Sequence, residues 1–184
     1  MKILNIPNLL TTFRIILTPI LAYMIIVGDF LTALILIIIA GVTDILDGAL
    51  ARCLKCETKI GSYIDPFADK MLMFACFVSL SYVGIVPLWL TAVVIGRDVV
   101  LVSGVIFLRI KCVLIEIVPT LAGKFSTCMQ TVTIIGVVAF QTIGYQNLSL
   151  LMCLFLLTLV ATLVAGFGYF YAGIEMLQNK NKCA

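Results

Sequence analysis

The stretch Asp44–Asp69 reads DILDGALARCLKCETKIGSYIDPFAD. It closes one apolar run, crosses a short basic loop and opens another, so it sets where the chain folds back on itself. It also holds four aspartates, Asp44, Asp47, Asp65 and Asp69, in a chain that is 63% hydrophobic and only 11% charged. Soluble domains carry about 25% charged residues. With a mean hydropathy of +1.24, the deficit places the chain among membrane proteins.

Working outward from that stretch, six apolar segments appear, at 8–27, 31–52, 62–83, 87–108, 124–145 and 149–173. A membrane-crossing helix needs about 20 residues. The breaks are Gly28-Asp29, the basic loop after Arg52, Gly84 ahead of Pro87, the RIKCVLIEIVPTLAGK stretch and Tyr145-Gln146-Asn147. No repeat, flexible linker or second domain interrupts them. The expected fold is all-α, a single polytopic domain over residues 1–184 with six transmembrane helices. With six spans, Lys2, Arg52, Lys55, Lys59, Arg109, Lys111, Lys124, Lys180 and Lys182 share one side, and the opposite loops hold only Asp29. The positive-inside rule then places both termini in the cytoplasm. The first segment has no small-x-small cleavage site and contains Arg14, so it reads as a retained helix.

Composition excludes several functions. Histidine is absent, which removes imidazole acid–base chemistry and His metal sites. The net charge of +3 is too small and scattered for nucleic acid, though it suits anionic lipid head groups. Seven cysteines, mostly within apolar runs, read as small apolar residues and not as a disulfide framework. Cys53 and Cys56 form a CxxC, but no second pair or histidine completes a zinc site.

Arg14, the four aspartates, Lys70, Arg97 and Asp98 fall within or at the ends of apolar spans. Each such charge costs roughly 2.5–3.5 kcal/mol at a helix centre, so it reads as functional by default. The four acids flank the cytoplasmic loop, within reach of water-soluble material. On a helix, Asp44, Asp47, Gly48 and Ala51 share one face, and Gly61, Asp65 and Asp69 share another. Pro66 must kink the second helix or sit in its first turn. Two antiparallel neighbours would thus bring four carboxylates together, and like charges this close cannot all stay ionised without cations. Oxygen-only ligands point to Mg²⁺ or Mn²⁺, and two such ions suit phosphoryl transfer. Gly48, Ala51 and Gly61 either make room for an extended ligand or serve plain helix packing, and Arg52 could clamp a phosphate.

The pattern Asp44-x2-Asp47-Gly48-x2-Ala51-Arg52-x8-Gly61-x3-Asp65-x3-Asp69 resembles the signature of the CDP-alcohol phosphatidyltransferase family, with each defined position and both gaps matched. The opening NIPNLLTTFRIILTP is similar to the start of family members that make phosphatidylglycerophosphate, and of related cardiolipin synthases. The resemblance implies transfer of the phosphatidyl group of CDP-diacylglycerol to an alcohol, with release of CMP. It implies that Asp44, Asp47, Asp65 and Asp69 hold two divalent ions, and that Asp69 is also the base for the acceptor hydroxyl. Gly48, Ala51, Gly61 and Arg52 would then contact CDP-diacylglycerol. It further implies an active site facing the cytoplasm, in the inner membrane of a bacterium, and a homodimer as a common state.

The expected acceptor is glycerol 3-phosphate, with phosphatidylglycerol as the alternative. A phosphate-bearing acceptor needs cations, and Lys70, Arg97, Arg109, Lys111 and Lys124 are the supply. VPLWLTAVVIGRDVVLVSG looks more like the mitochondrial type of cardiolipin synthase. Arg97-Asp98 reads equally as an internal ion pair. Asn8, Thr11 and Arg14 form a polar helix face, either a wall of the nucleotide site or an amphipathic start at the interface. Gly166, Gly168, Tyr169 and Tyr171 read as packing and an interfacial aromatic belt; Glu57 and Glu116 read as loop charges. A divalent-cation transporter also places acids in a membrane, but such sites lie near the midplane between internal repeats, and neither is present.

Overall fold

A computed structural model describes the backbone over residues 6–54, 61–110, 121–144 and 147–182, and side chains over 12–43, 68–104, 121–144 and 147–171. Six helices and no strands occur among the described residues: α1 (Ile6–Val27), α2 (Phe30–Leu54), α3 (Gly61–Tyr82), α4 (Leu88–Ile110), α5 (Leu121–Ile143) and α6 (Leu148–Lys182). They fall on the six apolar segments. Helix α6 runs nine residues past its expected end at 173, because apolarity stops there but no proline or capping signal ends the helix. Glu57 and Glu116 lie outside the described residues.

Three turns explain the punctuation. Helices α1, α3 and α5 each end at a glycine with positive φ: Gly28 (86°), Gly84 (80°) and Gly144 (70°). Only glycine takes that backbone without strain. After α1, the amides of Gly28 and Asp29 donate to the carbonyls of Ile25 and Met24 at 3.1 and 3.0 Å; Gly84 and Ile85 repeat the pattern onto Ser81 and Leu80 after α3. The next helices are capped at once. The Asp29 carboxylate accepts from the Thr32 amide at 3.1 Å and the Thr32 hydroxyl at 2.7 Å. Asn147 accepts from the Leu150 amide at 3.3 Å.

The described helices form two compact units. The first contains α1, α2, α3 and the part of α5 from Ile134, with α1 packed against both α2 and α3. Its interior is Leu17, Leu21 and Ile25 of α1, Ala33, Ile37 and Ala40 of α2, and Ala68, Phe77 and Leu80 of α3. An apolar groove of about 500 Å³ lies between α1 and α3, lined by residues that include Ile15, Ala22 and Ile26 of α1 and Met71, Phe74 and Tyr82 of α3. The second unit holds α4, the part of α5 to Thr133, and α6, and α4 packs on α6.

Polarity is inverted relative to a soluble protein. Large apolar side chains such as Ile16, Ile20, Leu31, Ile38, Leu156 and Phe167 are exposed, while Arg14, Thr18, Ser126, Gln130, Thr133, Thr158 and Thr162 are buried. In lipid, helices associate through close packing and interhelical hydrogen bonds. The second unit uses such bonds between α5 and α6: Ser126 and Gln130 each reach the Thr162 hydroxyl, at 3.4 and 3.3 Å, and Thr133 shares a hydrogen bond with Thr158. Leu121–Ile143 and Leu148–Tyr171 are long and apolar enough to cross a membrane; Thr12–Val27 and Phe30–Thr43 are shorter apolar stretches.

Candidate active site

The signature straddles the end of α2 and the start of α3. Asp44, Asp47, Gly48, Ala51 and Arg52 lie in α2, and Gly61, Asp65 and Asp69 in α3, so the helical spacings required for one face per helix hold on both sides. The side chains from Asp44 to Asp65 lie outside the described set. Asp69 is half-buried between the buried Ala68 and the exposed Lys70. Pro66 is the sixth residue of α3, past the first turn, so the carbonyl of Ser62 receives no helical amide. Among the described residues no three His, Cys, Asp or Glu side chains form a metal cluster.

Chain length fixes how the helices run. Residues 55–60 join α2 to α3 and reach at most about 20 Å, whereas α3, with 22 residues, is about 33 Å long. Helix α3 therefore starts near the end of α2 and runs parallel to α1, since the tight Gly28 turn makes α1 and α2 antiparallel. Arg14 and Asp69 are each the ninth residue of their helix. Asp44 is fourteen residues into α2, and Arg14 is thirteen from the end of α1.

Arg14 is 2% exposed, on the α1 face it shares with Leu17, Thr18, Leu21 and Ile25. The Thr18 hydroxyl donates to its carbonyl at 2.9 Å. Asn8 and Thr11 carry no described side chain. A buried arginine thus stands on the helix that packs against both aspartate-bearing helices. The signal in the sequence was a lone cation inside an apolar run.

The candidate acceptor cations divide. Lys70 and Lys124 are exposed, the Arg109 side chain and Lys111 lie outside the described set, and Arg97 is buried. Arg97 forms the ion pair that the sequence offered as one reading: its Nη1 donates to the Asp98 carboxylate at 2.6 Å. Its guanidinium carbon also lies 5.6 Å from the centroid of the Tyr169 ring. Tyr169 is half-buried, whereas Tyr171 is 73% exposed. A β-carbon at Gly123 would fall on the Tyr169 hydroxyl, so only glycine there admits the ring. Sequence reasoning missed both residues. The available clue was that Thr158, Thr162, Ala165 and Tyr169 recur along one stripe of α6.

Fold and signature together define a class: an all-helical chain with membrane-length apolar helices and an aspartate signature spread over two consecutive helices. The chain belongs to the CDP-alcohol phosphatidyltransferase family, whose match covers residues 4–167. It is 32% identical over 190 residues to the human cardiolipin synthase (CMP-forming), covering 95% of this chain and 63% of that protein. It is 31% identical over 178 residues to the CDP-diacylglycerol–glycerol-3-phosphate 3-phosphatidyltransferase of Aquifex aeolicus, covering 95% and 98%. The Bacillus subtilis protein of the same name is 31% identical over 202 residues, covering 96% and 99%. The chain thus spans less than two thirds of the human relative and nearly all of the bacterial ones.

Proposed function

We propose that this protein is a membrane phosphatidyltransferase of phospholipid biosynthesis, moving the phosphatidyl group of CDP-diacylglycerol to glycerol 3-phosphate and releasing CMP. The observation that carries the reading is the complete aspartate signature on two helices that both pack against α1. The full-length match to bacterial glycerol-3-phosphate enzymes favours that acceptor. The identity with cardiolipin synthases supports phosphatidylglycerol as the second reading.

The donor set suits hard divalent cations, being all carboxylate with no histidine. Asp44, Asp47, Asp65 and Asp69 would hold two Mg²⁺ or Mn²⁺, which when bound offset charge on the diphosphate. Asp69 accepts the proton of the acceptor hydroxyl as that oxygen attacks the phosphorus bearing diacylglycerol. A positioned base of this kind contributes about 10²–10⁴-fold. The new phosphorus–oxygen bond forms as the bond to the CMP oxygen breaks, and CMP leaves with that electron pair. Gly48, Ala51 and Gly61 leave room for the nucleotide, Arg52 pairs with the diphosphate, and Arg97, with Lys70, Arg109, Lys111 and Lys124, meets the acceptor's phosphate. Six spans place the termini and the site on the cytoplasmic side of the inner membrane, where a second copy of the chain is an expected partner.

The test is CMP release by purified protein with Mg²⁺ or Mn²⁺, glycerol 3-phosphate against phosphatidylglycerol. Turnover with glycerol 3-phosphate that is lost in Asp69→Asn supports the first reading. Turnover with phosphatidylglycerol alone moves the assignment to the second. Metal-loaded folded protein that releases no CMP with any alcohol refutes both.

A further inference from the structure

The groove between α1 and α3 lies wholly within the first unit and is built from small residues flanked by large ones. Thr18 and Ala22 of α1, and Ala75 and Ser79 of α3, are buried or half-buried. Each pair is spaced by four, so each forms a strip along its helix. Ile26, Phe74, Val78 and Tyr82 stand exposed among the lining. The two hydroxyls of the strips turn back into their own helices, Thr18 onto the Arg14 carbonyl at 2.9 Å and Ser79 onto the Ala75 carbonyl at 2.6 Å. Apart from the Tyr82 phenol, no side-chain donor is left for an occupant, and a polar one would lose its hydrogen bonds to water without replacement.

Asp69 precedes Met71 of the lining by two residues, a turn of about 200°, so the two stand on different faces of α3. The α3 lining from Met71 to Tyr82 covers about 16 Å of helix rise. That is close to one leaflet of a hydrocarbon core about 30 Å thick. Tyr82 is 79% exposed at the end of α3, where an amphipathic ring suits the membrane–water boundary.

We infer that this groove binds one acyl chain of a bilayer phospholipid, apart from the aspartate site, with the lipid's glycerol end at Tyr82 and the chain running toward Met71. The inference rests on the reading above that the protein lies in a membrane. A chain of that length meets apolar walls throughout and needs no polar partner until it reaches the phenol. Bound there, it touches both α1 and α3 and stabilises the fold by mass action.

The experiment adds phosphatidylethanolamine with a photoactivatable group, either at the tip of one acyl chain or beside its ester, to protein purified in detergent. The tip probe is expected to label α3 around Met71 and Phe74, and the ester probe around Tyr82. Ala22→Leu and Ala75→Leu fill the groove from opposite walls. Each should raise the half-saturating lipid concentration about tenfold, as when two methylenes of the chain lose their contacts. Ala92→Leu, at an exposed position of α4, should leave it unchanged. Added lipid should raise the melting temperature of the parent and of Ala92→Leu, but not of the filled variants, and the KM for CDP-diacylglycerol should match the parent in all of them. Equal labelling of parent and filled variants would reduce the lipid to bulk contact and overturn the site. A KM that rises in both filled variants would make the occupant the substrate's own chain, and a changed oligomeric mass would make it a second copy; either result overturns the inference. Protein stripped from membranes by a carbonate wash refutes the membrane reading and the inference with it. The expected labelling in protein that releases no CMP refutes the proposed reaction and leaves the inference standing.

Discussion

Arg14 lies in a helix without an acidic residue of its own, whereas Arg97 directly precedes Asp98 and is paired to it. Both are buried, one in each unit, and the difference lies in where their charge is balanced. The second unit pairs Arg97 within α4 and joins hydroxyls between α5 and α6. The first carries Arg14 on the helix that packs against both aspartate-bearing helices, and the four aspartates outnumber it. Like charges held close together cannot all stay ionised unless cations join them. Arg97 thus has its counter-charge beside it in the chain, while under the proposed function the aspartates of the first unit would take theirs from bound ions.

Asp69→Asn tests that contrast most severely. It removes a charge and the base in one isosteric change, and CMP release should fall by about a hundredfold or more while the melting temperature holds. A mutant that keeps its activity would take Asp69 out of the chemistry. Arg14→Met comes next. Without divalent ion the melting temperature should fall by about 5 °C or more, as when one member of a buried charge pair is lost. Added Mg²⁺ should recover part of the loss, since the cation replaces the missing charge. An equal drop with and without Mg²⁺ would detach Arg14 from the aspartates. In the second unit, Thr158→Val should cost only about 0.6 kcal/mol of coupling with Thr133, typical of hydrogen bonds between membrane helices, and leave kcat unchanged. A loss of activity there would mean that the hydroxyl ladder serves the site as well as the fold.

The six helices were legible because Gly28, Gly84 and Gly144 punctuate apolar runs of the right length, with Asp29 and Asn147 supplying the next caps. The extension of α6 to Lys182 was not, since hydropathy marks where a segment stops being apolar, not where its backbone stops being helical. The aspartate signature could be read directly, because helical periodicity converts local spacing into a shared face. Arg97-Asp98 was legible as one of two readings, its partners being adjacent. The place of Tyr169 was not, because its partner sits two helices earlier in the chain and only packing brings them together. Arg14 fell between these cases: its cost was visible in an apolar run, its direction only in the fold.

The smallest effect separates the caps from both buried arginines. Asp29 is fully exposed, and its carboxyl is held below the ordinary aspartate value of 3.8, first by the Thr32 hydroxyl and then by the Thr32 amide. A carboxylate favoured by folding adds stability that is present above its unfolded pKa and is lost as pH falls through the folded one. The contribution to the start of α2 is therefore complete at pH 7 and disappears below about pH 4. Asp29→Ala should melt slightly below the parent at neutral pH, and the gap should close as the acid range is entered. Asp29→Asn keeps a capping oxygen and should lie between them at pH 7. Because this cap owes nothing to the four aspartates, the gap should be the same with and without Mg²⁺. A metal-dependent gap would tie this turn to the site and weaken the division between acids that cap helices and acids that await cations.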